Sequence, residues 1–252
     1  KFLYTCFNRS VRDNAESKFG ENVTVKNVHS LAYQHTEAWK YDIAKSFDVF
    51  DVISALKIKK KRGSKNFDAK LAGHILNGMN TYLNSSCKDV NKFSYENYAE
   101  SSFADENMDQ IKDGIVSLNG KMANAEIPIL HNFYLKKFQI ESPNLGYDYI
   151  IGDEMQDSSP CILDLFRAQK CNKLVLGDVF QSVYKWMLAE NALSEFVDDG
   201  FQSLKLTQSF RFRQDVADLA KQIINLKKHI CEDPNFEIKG VGGTKTLDTH
   251  AY

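Results

Sequence analysis

Tyr149-Ile150-Ile151-Gly152-Asp153-Glu154-Met155-Gln156-Asp157 decides how this sequence is read. A short, continuous apolar run between helical segments suits a strand buried on both faces of a parallel sheet. Leu174-Val175-Leu176-Gly177 has the same design; the first run ends in Asp153-Glu154 and the second in Asp178. Carboxylates just past such strands lie at the carboxyl edge, where open α/β sheets bind ligands.

Working outward, Lys1–Cys6 reads as a buried strand and Ser10–Phe19 as a helix with polar and apolar faces. Val23–Lys26 alternates like a strand, and a helix through Ala32 and Trp39 follows. Residues from about 42 to 120 are rich in Lys, Asn and Ser, helical or loop-like and without strong strand signals. They read as an inserted, mainly helical subdomain. An amphipathic helix from Pro128 to Gln139, with the proline suited to its first turn, leads back to the core. Ser203–Thr207 reads as a further strand and Gln214–Leu226 as a helix, while the Gly- and Thr-rich tail from Asp233 has no assigned element.

The chain has 252 residues, enough for one large domain or two unequal ones. Its 43% apolar and 26% charged residues are ordinary for a soluble globular protein, and no apolar run approaches the ~18 residues of a membrane span. The start at Lys1 has no signal-peptide layout and no initiator methionine, so the expectation is a chain that begins partway through a longer protein. Cys6, Cys87, Cys161, Cys171 and Cys231 are scattered, without metal-site spacing, which suggests reduced thiols in an intracellular protein. The expected compartment is the nucleus if the source is eukaryotic and the cytoplasm if it is bacterial or viral. A net charge of −1 announces no global nucleic-acid binder. The dense basic run of Lys57, Lys59, Lys60, Lys61, Arg62 and Lys65 suits a solvated loop as well as a DNA contact.

Nucleotide hydrolysis needs a carboxylate for Mg²⁺ and a second group to orient or activate water. Asp153 and Glu154 can divide those roles, although adjacent acids after a strand also suit a solvated loop or a helix N-cap. In Gly177-Asp178-Val179-Phe180-Gln181-Ser182-Val183-Tyr184-Lys185-Trp186, the Gln181 amide can sense a γ-phosphate. Tyr184 and Trp186 can stack on single-stranded bases or pack in a core. In Leu206-Thr207-Gln208-Ser209-Phe210-Arg211, an arginine after a strand can stabilise a transferring phosphoryl group or make a surface ion pair.

Together, and in this order, these segments resemble the UvrD/Rep-like superfamily 1 DNA helicases, most closely the F-box DNA helicase branch. Leu3-Tyr4-Thr5-Cys6-Phe7-Asn8-Arg9-Ser10 is similar to that family's motif Ia, and Val28-His29-Ser30-Leu31-Ala32-Tyr33 to its next DNA-side motif. D-E-M-Q-D, G-D-V-F-Q-S-V-Y-K-W and L-T-Q-S-F-R-F are similar to motifs II, III and IV. The match covers both ends of the chain but not its middle. The resemblance implies an α/β fold with a RecA-like parallel sheet of P-loop NTPase type, incomplete here, carrying a helical insertion. It divides the chain into a RecA-like first part (1–41), the insertion (42–120), a RecA-like second part (121–200) and the start of a second RecA-like domain (201–252).

The same resemblance implies ATP and Mg²⁺ as cofactors and movement on single-stranded DNA, 3′-to-5′, with single-/double-strand junctions as substrates. Asp153 would serve the metal and Glu154 the water. Gln181 would couple γ-phosphate state to DNA grip, Arg211 would contact the γ-phosphate, and Phe210 would sit near the adenine. Asn8, His29, Ser30, Tyr184 and Trp186 would line the single-strand track, and the basic run falls where the family inserts a subdomain that touches duplex. The family's G-x-x-x-x-G-K-[ST] loop would precede motif Ia and is not in this sequence, so this chain alone is expected not to hydrolyse ATP. Gly240-Val241-Gly242-Gly243-Thr244-Lys245-Thr246 is a poor substitute, with no apolar strand leading into it and threonine before its lysine. A non-catalytic DNA-binding or scaffolding remnant of a helicase is the rival reading. Another kind of P-loop ATPase is a third, and it leaves the Q-S-V-Y-K-W and S-F-R segments unexplained.

Overall fold

A computed structural model describes residues 1–6, 9–60, 66–99, 101–178, 181, 192–226 and 237–242. The chain divides into two units, Lys1–Asp198 and Asp199–Tyr252. In the first, β1 (Phe2–Cys6), β2 (Val23–Asn27), β5 (Tyr149–Gly152) and β6 (Asn172–Val175) form one parallel sheet in the order β2-β1-β5-β6. Parallel neighbours need a crossover. Between β1 and β2 this is α1 (Arg9–Lys18), and between β5 and β6 it is α8 (Pro160–Ala168), whose proline occupies the first turn. Leu3 and Ile150 are buried on the central strands, as continuous apolar runs require. β6 has a partner on one side only among the described residues, and Leu174 on it is half-exposed.

β1 and β5 are neighbours in space but far apart in sequence, and most of the intervening chain is helical. α2 (Val28–His35) starts on Asn27, whose side chain accepts from the Ser30 N–H. α3 (Val49–Leu56) starts on a reciprocal capping box between Asp48 and Asp51. α4 (Phe67–Asn84), α5 (Ser102–Glu106), α6 (Met108–Ala123) and α7 (His131–Glu141) follow. α4 and α6 pack closely because each offers the other a glycine. A Cβ on Gly78 would lie 2.3 Å from Ile115 Cδ1, and one on Gly114 would lie 2.3 Å from Ile75 Cδ1. A two-residue parallel ladder joins β3 (Ile43–Ala44) to β4 (Ile129–Leu130) where the chain leaves for, and returns from, α3–α6. One apolar core runs from Ala32 on α2 through Ile75, Leu83 and Leu118 to Phe138 and Cys161 on α7 and α8.

Several sequence expectations shift. The helix expected to run through Ala32 and Trp39 stops at His35: the Thr36 hydroxyl bonds the Ala32 carbonyl (2.8 Å), Glu37 turns left-handed (φ 52°), and Ala38–Lys40 form a separate 3₁₀ turn. Pro128 does not open a helix. Ile129 instead donates to Asp42 O (2.8 Å) and pairs with Ile43, so the helix begins at His131. That same ladder places a short strand inside the stretch read as strand-free. The strand read at Leu174–Gly177 lies two residues earlier, because its register is set by Asn172 opposite Tyr149.

In the second unit, Ser203–Thr207 is not a strand. Its apolar alternation has no burial behind it, with Leu204 and Leu206 79% and 91% exposed. Gln208–Ser209 (β7) pairs with Lys239–Gly240 (β8) instead, and α9 (Gln214–Leu226) lies between them in sequence. The N–H of Gly242 donates to Phe212 O (2.9 Å), so the Gly240 segment commits backbone donors to the fold rather than to a phosphate.

A buried lysine ties α7 to the turn after α4. Lys136 is 2% exposed, and its Nζ donates to Ser85 O (2.7 Å), Cys87 O (2.9 Å) and Gln139 Oε1 (2.6 Å) over the Tyr82 ring. Burial lowers its pKa, and the three acceptors supply what water no longer does. Gln139 continues the network to Ser86 O (2.9 Å) and Asp164 (3.0 Å). Lys136→Met removes the donor to the buried Ser85 carbonyl and the part-buried Cys87 carbonyl. A loss of about 1–3 kcal/mol is expected, read as a lower urea midpoint at unchanged m-value.

Candidate functional site

The site is built where β1 and β5 end side by side. Thr5 pairs with Gly152, and the Asp153 N–H extends the ladder by donating to Thr5 O (2.9 Å). The carboxylate of Asp153 is then fixed from two sides. The Tyr4 hydroxyl donates to Oδ2, and the Glu154 N–H donates to Oδ1 (3.1 Å). Burial first, and the bond to Asp153 second, raise the pKa of Tyr4, so the phenol remains a donor at neutral pH.

Glu154 has left-handed backbone (φ 54°), a conformation costly for a non-glycine residue and found where surroundings over-determine it. The constraint here comes from the next residue, whose N–H donates to Leu176 O (3.0 Å) just beyond β6. Met155–Asp157 then form a 3₁₀ turn.

Gln156 joins the two loops. It is 3% exposed; its Nε2 donates to Glu154 Oε2 (2.6 Å), and its Oε1 accepts the Asp178 N–H (3.1 Å). Asp178 in turn accepts from Gln181 Nε2 (2.6 Å). The chain Glu154–Gln156–Asp178–Gln181 therefore runs from one strand end to the next. Gly177 makes room for it, since a Cβ there would sit 2.5 Å from Gln156 Oε1. The sequence reading assigned no role to Gln156 or Tyr4. The signal lay in D-E-M-Q-D itself: a buried amide between two acid-ended strands can satisfy one loop with its donor and the other with its acceptor.

The hard oxygen donors of Asp153 and Glu154 suit Mg²⁺. Among the described residues, no group of three or more His, Cys, Asp or Glu is arranged as a metal cage.

His29 and Ser30 open α2 beside this edge. With Asn27, Tyr33, Gln34 and Tyr134 they line a cavity of about 360 Å³. His29 also borders a second, smaller cavity together with Thr5, Cys6, Asp153 and Ser158. Its Nδ1 is buried without a hydrogen-bond partner among the described residues. Burial, with a smaller contribution from His131, lowers its pKa to about 4, and the imidazole is neutral at physiological pH. The structure thus brings Asp153, Glu154 and Gln181 into one network, with His29 and Ser30 alongside. Phe210 and Arg211 belong to the second unit, both exposed just after β7. Asn8, Tyr184 and Trp186 lie outside the described residues, as do Lys61, Arg62 and Lys65.

Residues 8–202 match the UvrD/REP helicase N-terminal domain. The chain belongs to the UvrD/REP helicase family. It is 28% identical to F-box DNA helicase protein 1 of Schizosaccharomyces pombe over 274 aligned positions, covering 100% of this chain and 30% of that protein. It is 29% identical to F-box DNA helicase 1 of Gallus gallus over 248 positions, covering 91% of this chain and 24% of that protein. The chain therefore spans less than a third of the length of these relatives. The parallel sheet with helices on it is the α/β arrangement expected of the family's RecA-like domain. Among the described residues, no helix is long and apolar enough to cross a membrane.

The buried imidazole makes a pH prediction. A folded pKa near 4 against about 6.5 unfolded means that the unfolded chain binds the extra proton. The stabilisation is complete above about pH 6.5 and is lost as pH falls from there towards 4, by about 3 kcal/mol for a shift of this size. His29→Phe is expected to lose less stability over that window than the unaltered chain, when urea unfolding is compared at both ends. Parallel pH profiles for the two proteins would sink the assignment.

Proposed function

We propose that this chain carries the catalytic edge of an ATP-dependent translocase that moves on single-stranded DNA, 3′-to-5′, and opens single-/double-strand junctions. The observation that carries this reading is the hydrogen-bonded chain Glu154–Gln156–Asp178–Gln181 beside Asp153. Hydrolysis needs a water-orienting carboxylate whose position depends on what the nucleotide and the strand are doing. Gln156 pins one oxygen of Glu154 and leaves the other for an attacking water. The far end of the network, Gln181, is the group proposed to read the γ-phosphate.

Asp153, held by Tyr4 and by the Glu154 N–H, would be the protein's ligand to Mg²⁺. The ion supplies neutralisation of phosphate charge when nucleotide is bound. Arg211 and Phe210 are proposed to contact the γ-phosphate and the adenine. Asn8, His29, Ser30, Tyr184 and Trp186 are proposed to follow the strand. The names of the relatives, both DNA helicases, support DNA as the substrate. The β3–β4 ladder supports treating the helices between as an insertion on a RecA-like domain. The division of the chain into units at Asp198 and Asp199 supports a second RecA-like domain beginning near residue 201.

The experiment is DNA-stimulated ATP hydrolysis by this chain and by a longer form that also carries a G-x-x-x-x-G-K-[ST] loop upstream of Lys1. Hydrolysis is expected from the longer form, with kcat lowered about 10²–10⁴-fold by Glu154→Gln. A variant as active as the unaltered protein removes Glu154 from the chemistry. Binding of single-stranded DNA without hydrolysis by either form would establish the non-catalytic reading instead.

A further inference from the structure

Beyond His29 and Ser30, the cavity at the start of α2 does not close. Tyr134, on α7, forms one wall and meets His29 edge-on (ring centroids 5.9 Å apart) and Tyr33 edge-on (5.8 Å). Tyr33 in turn packs at a tilt against Trp39 (6.0 Å, 57° between planes). A line of aromatic rings therefore leads from the polar cavity to a tryptophan that is 52% exposed.

A singly exposed aromatic is ordinary. The backbone around Trp39 is not. α2 is stopped by the Thr36 hydroxyl, and Glu37 takes up left-handed backbone (φ 52°). The 3₁₀ turn that follows buries Ala38 completely and leaves Trp39 outside. Left-handed non-glycine backbone is costly and persists where its surroundings over-determine it, so the exposed position of Trp39 is set by the turn rather than left to chance. Tyr41 follows, with the Lys137 ammonium 5.7 Å above its ring. Among the described residues Lys137 has no carboxylate partner, whereas the carboxylate of Glu37 is held by Lys40. The surface thus offers the exposed face of Trp39, the half-buried rings of Tyr33 and Tyr41, and a lysine without a carboxylate partner among the described residues. That combination suits bases and phosphates, since stacking accepts any base and the cation answers the backbone charge.

We propose that Tyr33, Trp39 and Tyr41, with Lys137, form a stacking site for unpaired bases of single-stranded DNA, continuing from the cavity bordered by His29 and Ser30. The proposal rests on the DNA-translocase reading above and extends its strand path past the residues assigned there. Trp39 supplies the outermost ring face and Lys137 a phosphate contact.

The test is a titration of fluorescein-labelled oligothymidylate with this chain, read by anisotropy and by tryptophan emission. Trp39→Ala is expected to weaken binding about tenfold, the order expected for one stacked base. Trp39→Phe retains most of the affinity but loses that part of the emission change due to the indole at position 39. Lys137→Ala weakens binding at low salt and reduces the slope of log K against log salt by about one. Circular dichroism of each variant separates lost binding from lost folding.

If the unaltered chain binds but Trp39→Ala binds equally well, and Trp39→Phe gives the same emission change, the stacking site is wrong and the translocase reading stands. If the unaltered chain does not bind oligothymidylate, the strand path and this site fall together. In that case the hydrolysis experiment above decides the remainder.

Discussion

The rest of the molecule depends on the parallel pairing of β1 with β5. Phe2 lies opposite Tyr149 and Thr5 opposite Gly152, across a gap of nearly one hundred and fifty residues. Closing so long a loop costs only slowly increasing entropy, but it must be offset by burial on the way. The intervening helices provide that burial, because they share one apolar core with the helix layer of the sheet. The pairing also fixes the chemistry. It sets Tyr4 beside Asp153 and gives the Asp153 N–H its acceptor on Thr5, so the carboxylate is held by the same ladder that holds the sheet.

The second constraint is the amide of Gln156. Placing a buried polar side chain between two loops costs desolvation unless every polar atom finds a partner. Here the donor goes to Glu154 and an acceptor contact comes from the Asp178 backbone. A leucine of similar size would leave a carboxylate oxygen and an N–H without partners and would let the two loops drift independently. The lack of a side chain at Gly177 belongs to the same arrangement, and so does the left-handed turn at Glu154. Packing and hydrogen bonding together hold the acid pair in one geometry before any ligand arrives, which is how preorganised sites work.

The strands were legible in the sequence as short apolar or alternating runs between helical segments, and β5 as a continuous apolar run ending in Asp153-Glu154. The position of those two acids at the strand end was legible for the same reason. What was not legible depended on distant partners. Nothing near Pro128 announces that Ile129 will pair with Ile43, and that ladder displaces the expected helix start. At Ser203–Thr207 the pattern misled in the other direction, since alternation without a partner strand leaves Leu204 and Leu206 in solvent. Gln156 was visible as a letter in D-E-M-Q-D, but its partner Asp178 lies more than twenty residues away, and only the β5–β6 register brings them together.

His29 shows how closely this fold packs two cavities. The imidazole borders both the cavity that contains Asp153 and the larger cavity that opens towards Tyr33. Because it is buried and neutral, it places no charge beside the acids, which would otherwise shift their own protonation. Its edge-on contact with Tyr134 ties the ring to α7, so the start of α2 is packed against the helix that carries the buried Lys136 network.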